Sequence, residues 1–296
     1  MRISTSCAVM WDPPHVSMEQ AVKRLAAVGF QVLDFNIQDW LFDGSPAVGD
    51  DWQRWVRRAG KAARDVGVVF NQAHMPLADP RETKTRKRRL ENELAHRSIE
   101  AAGMLGVPWI ACHALSFAGA WDQGHLDELR ERNLEYFAPF LKTAEKAGVG
   151  LAMENLADAF SEGARSRTYT ATPGELIDLV DAFDHPLVGI LWDTGHAHLQ
   201  GLDQGQALRA IGSRLKGTHI ADNDGRWDQH LMPFLGKVDW KAVMEALWAI
   251  DYAGDFTYEI HNYVRHLPDP LRDGAARVAF ETAEWLLAGK WEKTKN

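Results

Sequence analysis

Cysteine is scarce in this chain. Its 296 residues include only Cys7 and Cys112, each inside an apolar run. That argues against a disulfide framework and makes a reducing, cytoplasmic setting the default expectation. Long apolar runs are also missing: no stretch approaches the roughly 20 residues needed to span a bilayer. The opening residues lead quickly into Trp11-Asp12-Pro13-Pro14 with no small-residue cleavage pattern, so they read as a first strand and not as a signal peptide. There is no Gly-x-Gly-x-x-Gly run joining a strand to a helix, which argues against a nicotinamide dehydrogenase. Linkers and low-complexity segments are absent too, so one domain over residues 1–296 is expected. Positive charge is in deficit: 33 Lys and Arg face 41 Asp and Glu, for a net charge of −8. Such a balance disfavours a surface built to grip nucleic acid.

What is present is an ordinary globular composition, 46% hydrophobic and 25% charged. A chain of this length buries a large core without disulfides or a structural metal. Short apolar, β-rich runs alternate with longer amphipathic ones. The runs Ile3–Val9, Gln31–Ile37, Val68–Ala73, Trp109–Ala114, Gly150–Asn155, Val188–Asp193, Arg214–Ala221 and Phe256–His261 each precede a helical pattern. In one such pattern, Asp50–Val66, the residues Trp52, Trp55, Val56 and Ala59 share a face. Gly29, Gly67, Gly106, Gly148 and Gly254 sit near helix ends, where a left-handed C-cap favours glycine. Eight alternations predict an α/β fold, a closed (β/α)₈ barrel. The tail Glu292–Asn296 is charged and is expected to fray.

A barrel of this kind gathers its functional residues at the C-terminal ends of its strands. The third run ends in His74 and the fourth in His113. The fifth ends in Glu154, and the sixth in Asp193 with His196 three residues on. The seventh ends in His219, with Asp228 and His230 in the loop beyond it. The eighth ends in Glu259. Any one of these has a bland reading as a hydrogen-bonded structural residue or a helix cap. Together they place several carboxylates at one mouth, and burying like charges together is costly without a cation. Imidazole and carboxylate without thiolate suit Mn²⁺ or Zn²⁺, with Co²⁺, Fe²⁺ or Mg²⁺ as further options. The sequence thus predicts a divalent-metal site with Glu154, Asp193, His219 and Glu259 as central ligands. His74, His113, His196, Asp228 and His230 are candidates for further ions, one to three in all.

At these residues the chain resembles the xylose isomerase-like barrel superfamily. That group holds sugar (phosphate) isomerases and epimerases, ketose 3-epimerases and endonuclease IV. The resemblance runs from Ile3 to about Leu287. It is densest from Thr218-His219-Ile220-Ala221-Asp222 through Asp228-Gln229-His230 to Gly236-Lys237-Val238-Asp239-Trp240. It implies a metal-dependent sugar or polyol isomerase or epimerase, with proton transfer through a metal-stabilised enediolate. Glu154 and Glu259 would be both ligands and proton carriers, and His196 and Arg226 would bind substrate. The alternatives are an endonuclease IV-like phosphodiesterase at abasic sites, whose nine zinc ligands all have a counterpart here, and a metal-binding barrel subunit of a sugar lyase complex.

The remaining features qualify these readings. Trp11, Trp40, Phe117, Trp121 and Trp227 are candidates for an aromatic rim, with Trp11 and Trp121 as substrate contacts. The basic run Arg81 to Arg89 reads as the solvated start of a helix and not as a DNA-reading surface. Asp222, Asp224 and Asp228 in the loop after the seventh strand would repel a phosphate, which favours a non-phosphorylated small carbohydrate as the partner molecule. No membrane partner is expected, and a homo-oligomer is left open.

Overall fold

The computed structural model describes residues 1–13, 15–78, 84–117, 119, 121–161 and 164–289, with the backbone alone at 159–161 and 164–165. The Arg81 end of the basic run and the tail Glu292–Asn296 lie outside the described residues.

The chain alternates β1 (Ile3–Ser6), α1 (Met18–Val28), β2 (Val32–Phe35), α2 (Trp52–Asp65), β3 (Val69–His74), α3 (Thr85–Leu105), β4 (Trp109–Cys112), α4 (Gln123–Ala147) and β5 (Gly150–Glu154). A short antiparallel hairpin follows, β6 (Ala159–Ser161) and β7 (Ala164–Ser166), and then α5 (Pro173–Phe183). The second half runs β8 (Val188–Asp193), α6 (Thr194–Leu199), α7 (Gln204–Ile211), β9 (Leu215–His219), α8 (Trp240–Ala249), β10 (Phe256–Tyr258), α9 (His261–Arg265) and α10 (Asp269–Leu287). Eight strands form one parallel sheet in the order β10-β1-β2-β3-β4-β5-β8-β9. It closes through an Ile220–Tyr258 bridge: Ile220 N–H donates to the Thr257 carbonyl at 2.8 Å and Glu259 N–H to the Ile220 carbonyl at 3.0 Å. The predicted (β/α)₈ barrel is the fold.

Local chemistry explains the boundaries. Ser17 and Gln20 form a reciprocal capping box that starts α1. Trp52, Trp55, Val56 and Ala59 turn the inner face of α2 into the core, where Trp55 meets Phe35 and Trp40. Gly106 and Gly148 end α3 and α4 with φ of +71° and +68°. Gly254 does not follow this pattern. The left-handed residue of that turn is Asp251, and a Cβ on Gly254 would lie 2.2 Å from the Tyr252 hydroxyl. The sequence reading missed the hairpin, α6 and α9, all too short to show an apolar period. Residues 84–90, at the start of α3, are exposed, as expected of a solvated helix start.

Side chains of non-neighbouring strands meet across the lumen. Asn71 on β3 accepts from the Ser4 hydroxyl at 3.0 Å and donates to Thr257 on β10 at 2.9 Å. The deep end of the lumen is thus filled by paired polar groups, and free carboxylates and imidazoles are left to the opposite, C-terminal end.

The long connection from β9 to α8 is tied down by Asp222. One of its oxygens accepts from the Asn223 and Val238 N–H groups at 2.9 and 3.0 Å, the other from Phe234 N–H at 3.0 Å and Trp240 Nε1 at 2.9 Å. A Cβ on Gly236 would lie 2.3 Å from the same carboxylate, so only glycine fits there. Asp222→Ala strands several buried donors and is expected to cost about 3 kcal/mol or more in a urea titration. A loss within a few tenths of a kcal/mol would contradict the tethering role.

Candidate metal centre

Four carboxylate or imidazole side chains end four strands around the lumen. Glu154 closes β5, Asp193 closes β8, His219 closes β9, and Glu259 follows β10. All four are buried, and one ligand atom from each lies within 4.8 Å of the others. His219 Nδ1 is 2.9 Å from Glu154 Oε1 and 3.4 Å from Glu259 Oε2. Parallel strands of similar length place these residues at one height because each is the last residue of its run, or the first beyond it.

A second tier adjoins them. Glu154 Oε2 lies 3.0 Å from His113 Nε2 and 3.5 Å from His74 Nε2. Asp228 Oδ2 lies 2.7 Å from His230 Nε2 and 3.5 Å from His196 Nε2. All nine residues singled out in the sequence therefore meet at one mouth. Three of the rings are oriented by the main chain. Nδ1 of His74 donates to the Met75 carbonyl at 2.6 Å, that of His196 to the Asn155 carbonyl at 2.9 Å, and that of His230 to the Glu259 carbonyl at 2.9 Å. A carbonyl can only accept, so each ring carries a proton on Nδ1, and Nε2 is the nitrogen turned to a neighbouring carboxylate.

The electrostatics are those of a crowded, dry cluster. Burial disfavours the imidazolium of His219, but the Glu259 and Glu154 carboxylates outweigh it and hold the ring at about 10. His230 is likewise held up at about 9, with Asp228 the main opponent of burial. Burial raises Glu259 to about 7 against the pull of His219 and His230. It also raises Asp193. Glu154 goes the other way: burial would raise it, yet His219 and His113 hold it well below the usual carboxylate range. Asp193 Oδ2 and Asp228 Oδ1 are buried without a hydrogen-bond partner. Orphaned acceptors in an imidazole–carboxylate set free of thiolate fit a borderline divalent ion.

Other residues here went unread in the sequence. Asn155 clamps Asp193 from both sides, accepting from its N–H at 2.6 Å and donating to its carbonyl at 2.9 Å. Asp34 lies one residue before the end of β2, fully buried and raised to about 6 by burial, with His219, His74 and the Gln72 amide pulling the other way. His261 stacks on His230 at 5.2 Å, and Asp39 lies 3.8 Å from its Nδ1. The only sequence signal for these was a polar residue inside or just beyond an apolar run.

The predicted substrate contacts are more scattered. Arg226 has a side chain 83% exposed and pairs with Asp224 in its own loop, so it is not brought to the cluster. Trp11 is partly buried, with Arg265 over its ring at 5.9 Å and Phe42 edge-on at 6.3 Å. Trp121 carries Arg167 over its ring at 4.8 Å, and Phe117 carries Arg132 at the same distance. Trp227 is 57% exposed. Trp40 is a core residue packed on Trp55 and not part of a rim. Of the loop aspartates, Asp222 is turned inward onto backbone donors, Asp224 is paired with Arg226, and Asp228 with histidines.

Fold and site together define a barrel whose C-terminal mouth could hold divalent metal. Residues 22–287 match the family described as the xylose isomerase-like TIM barrel, and the chain belongs to that family. An uncharacterised protein of Methanocaldococcus jannaschii is 27% identical over 203 residues, 67% of each chain. A D-psicose 3-epimerase of Enterocloster bolteae is 31% identical over 126 residues, 42% of this chain and 38% of that one. Among solved structures, a D-tagatose 3-epimerase-like protein superposes with a TM-score of 0.76 at 20% identity, covering 99% of both chains. A 3-keto-D-glucoside 4-epimerase from E. coli gives 0.70 at 17%, covering 97% of this chain and 99% of that one. At these identities the structural likeness is one of fold. Among the described residues, no helix is long and apolar enough to cross a membrane.

The site predicts a pH signature. His219 and His230, at about 10 and 9, keep protons in the folded protein that an unfolded chain releases above about 6.5. Their stabilisation is complete below that value and lost as pH rises through 9 to 10. Glu259, at about 7 against an ordinary 4.5, acts in the same direction at lower pH. Chelator-treated protein should therefore show a Tm that falls between pH 7 and 10, and saturating Mn²⁺ should flatten that fall by replacing the protons. An ion-free Tm that stays level across this window would refute the assignment.

Proposed function

We propose that this protein is a divalent-metal-dependent isomerase or epimerase that moves a proton beside the carbonyl of a small carbohydrate or polyol. The observation that carries the reading is the convergence of Glu154, Asp193, His219 and Glu259 on one point of the lumen, and the environments of the two glutamates add to it. Both are buried and both face Nδ1 of His219, yet one is held ionised and the other is raised to about 7. Two carboxyls pushed apart in this way divide the roles of base and acid at neutral pH. Glu154, ionised, takes the proton from carbon. Glu259 turns Oε2 towards His219 and His230, which leaves Oε1, 4.0 Å from His261 Nε2, to carry the proton that is returned.

Glu154, Asp193, His219 and Glu259 would hold the ion, which supplies the positive charge that stabilises negative charge developing on the substrate oxygens. The relatives named as sugar epimerases support this class of substrate. The test is deuterium exchange at carbon in D₂O, followed by NMR with D-fructose, D-tagatose and D-psicose as probes. With Mn²⁺ the protein should exchange the proton next to the carbonyl of at least one of them. Glu154→Gln and Glu259→Gln should each slow exchange by about 10²- to 10⁴-fold. Full exchange by Glu154→Gln would sink the acid–base assignment.

One observation favours a second reading, a multi-ion phosphodiesterase of the endonuclease IV type. His74, His113 and Glu154 form a second convergent trio, and Asp228 bridges His196 and His230. The acidic balance of the chain opposes it. Metal analysis finding two or three ions per chain, together with cleavage of an abasic duplex, would establish this reading in place of the first.

A further inference from the structure

One buried carboxylate has no part in the reaction above. Asp34, one residue before the end of β2, is fully buried, and neither of its oxygens has a hydrogen-bond partner. The nearby Gln72 amide donates to the Thr218 carbonyl at 3.3 Å and favours the ionised carboxylate from close by, without a hydrogen bond of normal geometry to it. Asp34 Oδ2 faces His219 Nε2 at 3.9 Å across the lumen, and that nitrogen is also buried without a partner. Two complementary orphans thus confront each other. The gap is too long for a hydrogen bond. It is also too short for an interposed water, which would hold the two atoms on the order of 4.5–5.5 Å apart.

The other rings show what is missing. His74, His196 and His230 each give their Nδ1 proton to a backbone carbonyl, which fixes how the ring stands. His219 is turned round: Nδ1 faces Glu154 and Glu259, and Nε2 points away from them towards β2. A nitrogen that binds an ion must offer its lone pair, so an ion on Nδ1 puts the ring proton on Nε2. Among the described residues, Asp34 is the carboxylate within 4.0 Å of that atom.

We propose that Asp34 is a positioning residue of the metal centre. When an ion takes Nδ1, the ring closes the present 3.9 Å gap and the Asp34 carboxylate accepts Nε2–H of His219, which fixes the tautomer that ligates through Nδ1 and sets the tilt of the ring. Asp34 touches neither the ion nor the substrate. The inference rests on reading Glu154, Asp193, His219 and Glu259 as a metal site.

A structural role and a positioning role predict opposite effects in ion-free protein. An aspartate kept for the fold would destabilise the stripped protein when replaced. A carboxylate buried without a partner is itself unfavourable, so removing it should leave that form as stable or more stable. The experiment uses Asp34→Asn, Asp34→Ala and Asp34→Glu in the full chain. It measures Mn²⁺ affinity of chelator-stripped protein by EPR titration, the visible spectrum of the Co²⁺ form, and Tm without metal. Asp34→Asn and Asp34→Ala should weaken Mn²⁺ binding by about 10- to 100-fold. Both should alter the Co²⁺ spectrum, Asp34→Glu should recover most of the affinity, and the stripped Tm of Asp34→Asn should match or exceed that of the natural protein. The proposal is overturned if Asp34→Asn and Asp34→Ala bind Mn²⁺ like the natural protein, or if they fail to fold or lose affinity only alongside a lower stripped Tm. A natural protein that takes up neither Mn²⁺ nor Co²⁺ would remove the metal reading itself and this inference with it.

Discussion

The mouth of this barrel depends on one carboxylate staying ionised where water cannot reach it. Both oxygens of Glu154 are shared among imidazoles: Oε1 with His219 and, at 3.6 Å, His196; Oε2 with His113 and His74. An isolated buried carboxylate would take up a proton, because burial penalises the charged form. Here the surrounding rings reverse that tendency. The dependence is mutual, since the Glu154 charge also raises the affinity of His219 and His74 for a proton. Parallel strands make the arrangement attainable because they deliver last residues to one plane whatever their distance in sequence.

Much of this was legible in the sequence. The apolar runs and the glycines after helices announced the barrel. Asking what ends each run found all nine residues that meet at the mouth. What escaped had physical reasons. Asp34 lies within Val32-Leu33-Asp34-Phe35 and reads as mid-strand, because the apolar run continues in sequence to Ile37 although the strand stops at Phe35. Asn155 carries no charge to draw notice, yet its amide fixes the position of Asp193. Trp40 looks like a rim residue until its packing on Trp55 is known. Aromatic side chains serve cores and binding surfaces alike, so composition cannot separate the two.

The loop after β9 changes how its acidity should be read. In sequence, Asp222, Asp224 and Asp228 look like a block of negative charge at the mouth. In the fold each is answered locally: one by backbone N–H groups, one by Arg226, one by two histidines. The field met by an incoming molecule is therefore set by the histidine–carboxylate cluster and not by the raw charge of the loop.

The histidines anchored on carbonyls carry one further consequence. Because His74, His196 and His230 are held by the main chain and the Glu259 carbonyl itself anchors one of them, these three rings do not depend on an ion for their placement. An ion entering such a site would expose or cover little apolar surface, and the heat-capacity change of binding would be near zero. That sets it apart from small metallodomains, in which binding the ion and acquiring the fold are one event.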